Sequence, residues 1–130
     1  MAWTYEQNTG RLLDPHGVFV AKGYAGGNCG LNPEGVNNHA MQSVHNAGPL
    51  PVGKYKMSDA IEESHLGPLA IPLIPDPANE MFGRGHFFCH GDMIGHPGAG
   101  SEGCMIQARQ VRMVLAASSD KDLNVIYTGA

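Results

Sequence analysis

Residues 85–104 read Gly-His-Phe-Phe-Cys-His-Gly-Asp-Met-Ile-Gly-His-Pro-Gly-Ala-Gly-Ser-Glu-Gly-Cys. The run 85–90 is apolar and is typical of a buried β-strand. A glycine-rich loop follows it and ends at Cys104. A histidine and a thiol therefore stand on the two sides of one short loop. The glycines let the backbone turn sharply, and they let N–H groups approach a bound molecule closely.

This arrangement predicts thiol chemistry, with Cys104 as the nucleophile and His90 as the general base. A free cysteine is mostly protonated at neutral pH, so its thiol needs a base. The sequence places Cys104 at a loop-to-helix junction, where N–H groups and a helix dipole would lower its pKa. Strand alternation puts Cys89 on the face opposite His90, which predicts that Cys89 belongs to the core.

Other loop residues are candidates for supporting roles. Asp92 could orient an imidazole or hydrogen-bond the loop backbone. His96 could be the third group, a substrate contact or simply a loop residue. Ser101 could bond the histidine or make the thiol's loop rigid, and the second role is the safer prediction. The N–H groups of Gly103 and Cys104 are the candidate oxyanion hole.

Composition indicates one domain over residues 1–130, rich in turns. The chain has 18 glycines and 9 prolines, which favours short strands over helices. A net charge of −4 argues against nucleic acid or an anionic membrane as the main partner. No apolar run approaches the roughly 20 residues of a membrane span. The first residues contain no basic and apolar segments of a secretory signal.

Periodicity and turn residues predict mostly strands, with one late helix. The strands are expected at residues 3–7, 11–13, 18–23, 54–58, 69–74, 85–90 and 123–128. Because it contains Pro72, the strand 69–74 is expected at an edge of the sheet. The run 85–90 is the most apolar strand and is expected to be central. Residues 61–66 are ambiguous. The long Gly/Asn-rich stretch 24–48 could contain a short helix at 38–44.

The late helix is expected at residues 108–117. Its apolar residues recur at helical spacing and predict one buried face, with the two arginines of the segment pointing away from it. That face is formed by Ala108, Val111, Val114 and Leu115. The arginines are Arg109 and Arg112.

The order His-Gly followed by Ser-x-Gly-Cys resembles the L,D-transpeptidase pattern. Together, His-Gly-Asp, His-Pro-Gly and Ser-Glu-Gly-Cys-Met-Ile are similar to the L,D-transpeptidase effectors delivered by type VI secretion systems. The first half of the chain agrees in Trp-Thr-Tyr at 3–5, Thr-Gly at 9–10, Gly-Tyr-Ala-Gly at 23–26, Asn-Asn at 37–38 and Gly-Pro-Leu-Pro-Val-Gly-Lys-Tyr at 48–55. The resemblance covers nearly the whole chain.

The resemblance implies a mainly β fold, an L,D-transpeptidase-like β-sandwich with one late α-helix and the long Gly/Asn-rich loop. It implies an antibacterial cysteine enzyme that modifies peptidoglycan through an acyl-enzyme on Cys104, with His90 as base. Such an enzyme removes the terminal D-alanine after meso-diaminopimelate (L,D-carboxypeptidase) or exchanges it for another D-amino acid (L,D-transpeptidase). It requires no cofactor and no metal.

The implied partners are peptidoglycan stem peptides, a cognate immunity protein and a component of the secretion apparatus. A protein made in the cytoplasm without a signal peptide never meets the cell wall by itself. Type VI delivery into the periplasm of a target bacterium would resolve this, and the resemblance implies that route.

Some positions depart from the wider family or carry no clear signal. Many members have His where this chain has Glu102, which we expect to face solvent, and Arg where this chain has Ile106. The missing Arg leaves open how substrate carboxylates are held. Tyr24 is a candidate for the substrate groove and equally for the core. Nothing indicates whether Cys29 and Cys89 bond. The remaining histidines, expected at the surface or in packing, are His16, His39, His45, His65 and His86.

Two other functions compete with this interpretation. His90, Asp92 and His96 could ligate zinc with Cys104 as a fourth ligand, in a metal-dependent cell-wall hydrolase. The chain could also be a non-enzymatic cell-wall-binding module of a phage or secretion apparatus. A papain-like peptidase fits less well, because its cysteine usually precedes its histidine along the chain.

Overall fold

The strands join into one open, mixed sheet, and the fold is mainly β. The computed structural model describes residues 1–63 and 67–129; His65 and the second half of the ambiguous segment 61–66 lie outside them. The strands are β1 (Ala2–Glu6), β2 (Arg11–Leu13), β3 (Phe19–Lys22), β4 (Gly53–Met57), β5 (Ile61–Glu63), β6 (Gly67–Pro75), β7 (Phe87–His90), β8 (Met105–Ile106) and β9 (Asp122–Ile126). The single α-helix of the described residues is α1 (Arg109–Ala117).

The order across the sheet is β3-β2-β1-β9-β4-β6-β7-β8, with β5 paired to β6. The three strands predicted at residues 3–7, 11–13 and 18–23 are confirmed, and β1, β2 and β3 form an antiparallel meander. The last strand, β9, pairs in parallel with β1 and antiparallel with β4, so it lies in the middle of the sheet. Alternate residues of β1 and β9 are buried, as a strand with one face on a core requires.

Two expectations about strand position are wrong. Strand β6 is interior, between β4 and β7, although it contains Pro72. The proline removes one donor, but its carbonyl still accepts the Ser58 N–H at 2.9 Å, so the ladder keeps that bond. Strand β7 is not central, since only the two-residue β8 lies beyond it. It is apolar because Phe87 and Cys89 pack into the core.

The stretch 24–48 contains three short 3₁₀ turns instead of the helix expected at 38–44. They are Asn28–Gly30, Pro33–Gly35 and His39–Met41. Asparagine side chains organise this region: Asn37 Oδ1 accepts the Ala25 N–H, and Asn38 Oδ1 accepts the Ala40 N–H, both at 3.1 Å. Such local side-chain bonds compete with a regular helix.

The late helix is confirmed, but its buried face differs from the expected one. Leu115 is buried, whereas Val114 is exposed and Ala108 lies exposed at the N-cap position. Arg112, which was expected to point away, is only 8% exposed. Its guanidinium donates to three backbone carbonyls, those of Pro68, Leu69 and Gln107. The helix is therefore bound through an arginine to the start of β6, against which it packs.

Candidate active site

The pairing of β8 with β7 determines where Cys104 lies. The strands run in parallel and pair His90 with Ile106, so Cys104 falls opposite Phe88. The Phe88 N–H lies 3.4 Å from Cys104 Sγ, which agrees with that register. Because alternate residues of a strand share a face, Cys104 lies on the same face as Phe88 and His90. The parallel register thus places the thiol and the imidazole on one face of the β7–β8 edge.

Cys104 and His90 line one cavity of about 930 Å³, which we call the thiol cavity. This volume is in the range of small-molecule and peptide sites. The other titratable residues along its wall are Cys29, His45, Arg84, His86, Asp92 and Glu102.

The imidazole of His90 is oriented by the backbone. Its Nδ1 lies 2.8 Å from the Gly91 carbonyl oxygen, which requires a proton on Nδ1 and leaves Nε2 as the acceptor. The residue is 5% exposed, and this burial lowers the pKa of His90, although the bond to Gly91 opposes the shift. The ring is therefore neutral at neutral pH and able to accept a proton.

The thiol of Cys104 is protonated at rest. Burial raises its pKa to about 11; the Phe88 N–H and the charge of Arg84 lower it, and Glu102 raises it. The prediction that Cys104 lies at a loop-to-helix junction is wrong, because Cys104 precedes strand β8 and α1 begins only at Arg109. In the described part of the chain no α-helix begins at the thiol, so its ionisation depends on a base.

Ser101 connects the loop of Cys104 to the long loop. Its Oγ accepts the N–H groups of Gly26 at 2.8 Å and Gly103 at 2.9 Å, and it donates to the Cys104 carbonyl at 2.7 Å. These contacts make the thiol's loop rigid. Gly103 has a φ of +140°, and a Cβ there would lie 2.5 Å from Arg84 Nη2, so only glycine fits.

The two predicted oxyanion donors differ in availability. The Gly103 N–H is engaged by Ser101. The Cys104 N–H donates to no acceptor among the residues the structure describes. Of the pair, Cys104 therefore has the N–H that is not engaged within the described residues.

Tyr24 and Asp92 brace the glycine-rich loop. The Tyr24 hydroxyl donates to Asp92 Oδ1 at 2.6 Å and accepts the Gly100 N–H at 2.8 Å. Asp92 also accepts the N–H groups of Met93 and Gly98. Burial opposes ionisation of Asp92, yet these hydrogen bonds lower its pKa overall. Its carboxylate serves the loop backbone and bonds no imidazole in the described part of the chain.

His96 is exposed and lines neither the thiol cavity nor a neighbouring cavity of about 520 Å³. Across residues 1–63 and 67–129, no three His, Cys, Asp or Glu side chains come together as a metal-ligand set. His90, Asp92 and His96 are thus not gathered as the zinc interpretation requires.

Arg84 is the main residue of the site that the sequence pattern does not indicate. It is 8% exposed, lines the thiol cavity and stacks over the Phe87 ring at 5.2 Å. Its guanidinium donates to four backbone carbonyls: Gln42 at 2.6 Å, Pro49 at 2.8 Å, Gly48 at 2.9 Å and Glu102 at 3.3 Å. It therefore fixes the end of the long loop to the loop of the thiol. In the sequence, the only indication of this role is a charged residue between two glycines just before an apolar strand.

A second thiol shares the cavity. Cys29 is exposed, has a left-handed φ of 53°, and its Sγ lies 3.7 Å from Glu102 Oε1. Burial and the neighbouring carboxylate both raise the pKa of Cys29. Glu102 is exposed as expected, but it also faces the cavity. His86 lines the cavity too, from a position just before β7 where its φ is 59°.

The fold and the site together define a small, mainly β domain in which a thiol and a neutral imidazole share one cleft at a sheet edge. The chain belongs to the Tlde1 domain family, which matches residues 24–128. The domain is a type VI secretion effector domain that acts on the cell wall. No curated protein and no solved structure matches the chain. Among the described residues, no helix has the length and apolar character of a membrane crossing.

Proposed function

We propose that this domain is a cysteine-dependent peptidoglycan enzyme. It cleaves the bond between meso-diaminopimelate and D-alanine in tetrapeptide stems as an L,D-carboxypeptidase, exchanges that D-alanine as an L,D-transpeptidase, or does both. The observation that carries the proposal is the β7–β8 register, which brings Cys104 and His90 to one face and one cavity. The effector family supports the cell wall as the target.

In the first step, His90 Nε2 accepts the thiol proton of Cys104 as the sulfur attacks the carbonyl carbon on the L-centre of diaminopimelate. Both groups are neutral at rest, because burial raises the pKa of the thiol and lowers that of the imidazole. The proton therefore moves only when the substrate is in place. The oxyanion that develops accepts the open N–H of Cys104.

The intermediate then collapses to a thioester. The C–N bond breaks, and the imidazolium of His90 gives its proton to the departing amine of D-alanine. Water or the amine of another D-amino acid attacks the thioester, with His90 accepting a proton again. The carbon–sulfur bond breaks, and the thiol of Cys104 is restored. Water yields a tripeptide stem, and an amine yields an exchanged stem.

Delivery and partners belong to the same proposal. The effector family supports secretion into a target cell, where the substrate lies in the periplasm. The producing cell then needs an immunity protein against its own effector. The open mixed sheet with one helix is compatible with the L,D-transpeptidase sandwich, and we propose that fold for the domain.

The test is mass spectrometry of purified tetrapeptide muropeptides incubated with wild type and with Cys104→Ala, with and without D-methionine. Wild type should remove one alanine, or replace it with methionine, and Cys104→Ala should do neither. Circular dichroism of both proteins controls for folding. Binding of stems without turnover by folded wild type would favour the binding-module interpretation. Turnover that EDTA abolishes and Cys104→Ala retains would favour zinc chemistry.

A further inference from the structure

A second cavity of about 520 Å³ adjoins the thiol cavity. The two share Gly67, Gly91, Asp92 and Ile94, so they meet across the beginning of the glycine-rich loop. The second cavity continues from there to the end of β3 and to the N-terminus of α1. A peptide bound at the thiol could therefore extend into it.

The wall of the second cavity is basic, although the chain as a whole has a net charge of −4. Lys22, Arg109 and Arg112 line it. The guanidinium of Arg112 is engaged with backbone carbonyls, whereas Lys22 and Arg109 are exposed. Asp92 is the one carboxylate on this wall among the described residues, and it is engaged by Tyr24 and by loop N–H groups.

Helix α1 begins at this wall without a cap. The N-cap residue is Ala108, no side chain bonds the first-turn N–H groups, and the first turn contains no acidic residue. Uncapped N–H groups and the helix dipole attract an anion. By itself this end of the helix would not define a site.

Gln107 provides the second, independent observation. It lines the same cavity, is 2% exposed, and neither its Oε1 nor its Nε2 has a hydrogen-bond partner. The Gly23 backbone fits closely beside it, since a Cβ on Gly23 would lie 2.7 Å from Nε2. A buried amide without partners is unfavourable, and it can both donate to and accept from a peptide ligand.

We propose that the second cavity is a subsite for a side-branch carboxylate of the peptide stem. Arg109 and Lys22 supply charge, the first-turn N–H groups of α1 donate hydrogen bonds, and Gln107 recognises the adjoining peptide group. The subsite rests on the proposed function, and it supplies the carboxylate recognition for which the chain lacks the family's Arg after the cysteine.

The test measures binding to Cys104→Ala protein, which cannot turn the stem over, by titration calorimetry. The probes are a free tetrapeptide stem and the same stem with its side-branch carboxylates amidated. Arg109→Gln and Lys22→Gln should each weaken binding of the stem with free carboxylates about threefold, as for exposed charge pairs. They should leave the amidated probe unchanged. Lys54→Gln, an exposed lysine outside both cavities, is the matched control.

Gln107→Met separates recognition from folding. Removing an unpaired buried amide should leave the melting temperature equal or higher, while affinity for the carboxylate probe falls. Equal losses for both probes, or losses matched by Lys54→Gln, would overturn the subsite. So would failure of the carboxylate probe to bind at all. Turnover by the wild-type protein is measured separately. If the enzyme is active but its binding does not depend on the carboxylates, only the subsite proposal is contradicted. If binding depends on the carboxylates but no turnover occurs, only the catalytic proposal is contradicted.

Discussion

Cys89 and Cys104 lie on opposite faces of the β7–β8 edge of the sheet, and burial holds both thiols protonated. It raises the pKa of Cys89 to about 12 and that of Cys104 to about 11. Cys89 is 0% exposed within the core, whereas Cys104 opens on a cavity that also contains His90. The pKa values barely distinguish the two thiols. Access and a neighbouring base distinguish them, and both follow from strand alternation.

The largest expected effect separates these two thiols. Cys104→Ala should reduce turnover by on the order of 10⁴ or more, as for other nucleophiles. Cys89→Ala should retain turnover and lose roughly 1 kcal/mol of stability, because it removes a buried group. Muropeptide turnover and chemical denaturation measure the two quantities. Loss of turnover in a folded Cys89→Ala protein, with Cys104→Ala still active, would reverse the comparison.

The second prediction compares two histidines that line the thiol cavity, His90 and His86. His90→Ala should lower kcat/KM by roughly 10²- to 10⁴-fold, as for a lost general base. His86→Ala, which lines the same cavity, should change it little. Burial lowers the pKa of His90 from 6.5, so protonation inactivates the base only when the pH falls below that value.

A pH profile of kcat/KM measures that effect. The acid limb of wild type should lie below pH 6.5 and disappear in His90→Ala. An acid limb above pH 7, or one that persists in His90→Ala and is absent from His86→Ala, would assign the base elsewhere.

Much of the β7–β8 edge was predictable, because alternation is local. The apolar run 85–90 indicated a strand, and its period assigned Cys89 to the core and His90 to the other face. His86 also lines the cavity, but it lies before β7 with a left-handed φ of 59°, so alternation does not assign it to a face. The parallel partner of β7 was not predictable, since β8 is only two residues long. Without that pairing, the sequence around Cys104 predicts the start of a helix.

The two buried arginines show why the rest of the site was out of reach. Arg84 and Arg112 donate mainly to carbonyls 35 to 44 residues away along the chain. Backbone carbonyls occur at every residue and leave no mark in the sequence. Helical periodicity therefore predicts that Arg112 faces solvent, and no sequence pattern predicts the position of Arg84. Long cationic side chains that bind loops are visible only after the loops are placed.

The third prediction tests whether Arg84 holds the two loops at the thiol. Arg84→Met removes the donors of four backbone carbonyls, three of which lie in residues 42–49. It should destabilise the protein by about 3 kcal/mol, as when hydrogen bonds to a buried charge are lost. Arg109→Met, on the exposed start of α1, should stay within roughly 0.5 kcal/mol. Urea denaturation measures the free energy of unfolding of both variants. Equally small changes in the two variants would show that Arg84 does not hold the loops.

The smallest expected effect concerns Glu102, whose negative charge raises the pKa of Cys104. Glu102→Gln removes that charge, so the thiol should ionise at lower pH and react about twofold faster with iodoacetamide near pH 9.

Because Glu102 also contacts Cys29, the rates are compared in a Cys29→Ser background, where Cys104 is the accessible thiol. Glu80→Gln, exposed and outside both cavities, is the control. High salt should shrink the difference, since it screens an exposed carboxylate. A slower reaction in Glu102→Gln would mean that the carboxylate assists ionisation of the thiol, and the contrast between Cys104 and Cys89 would then include a second base.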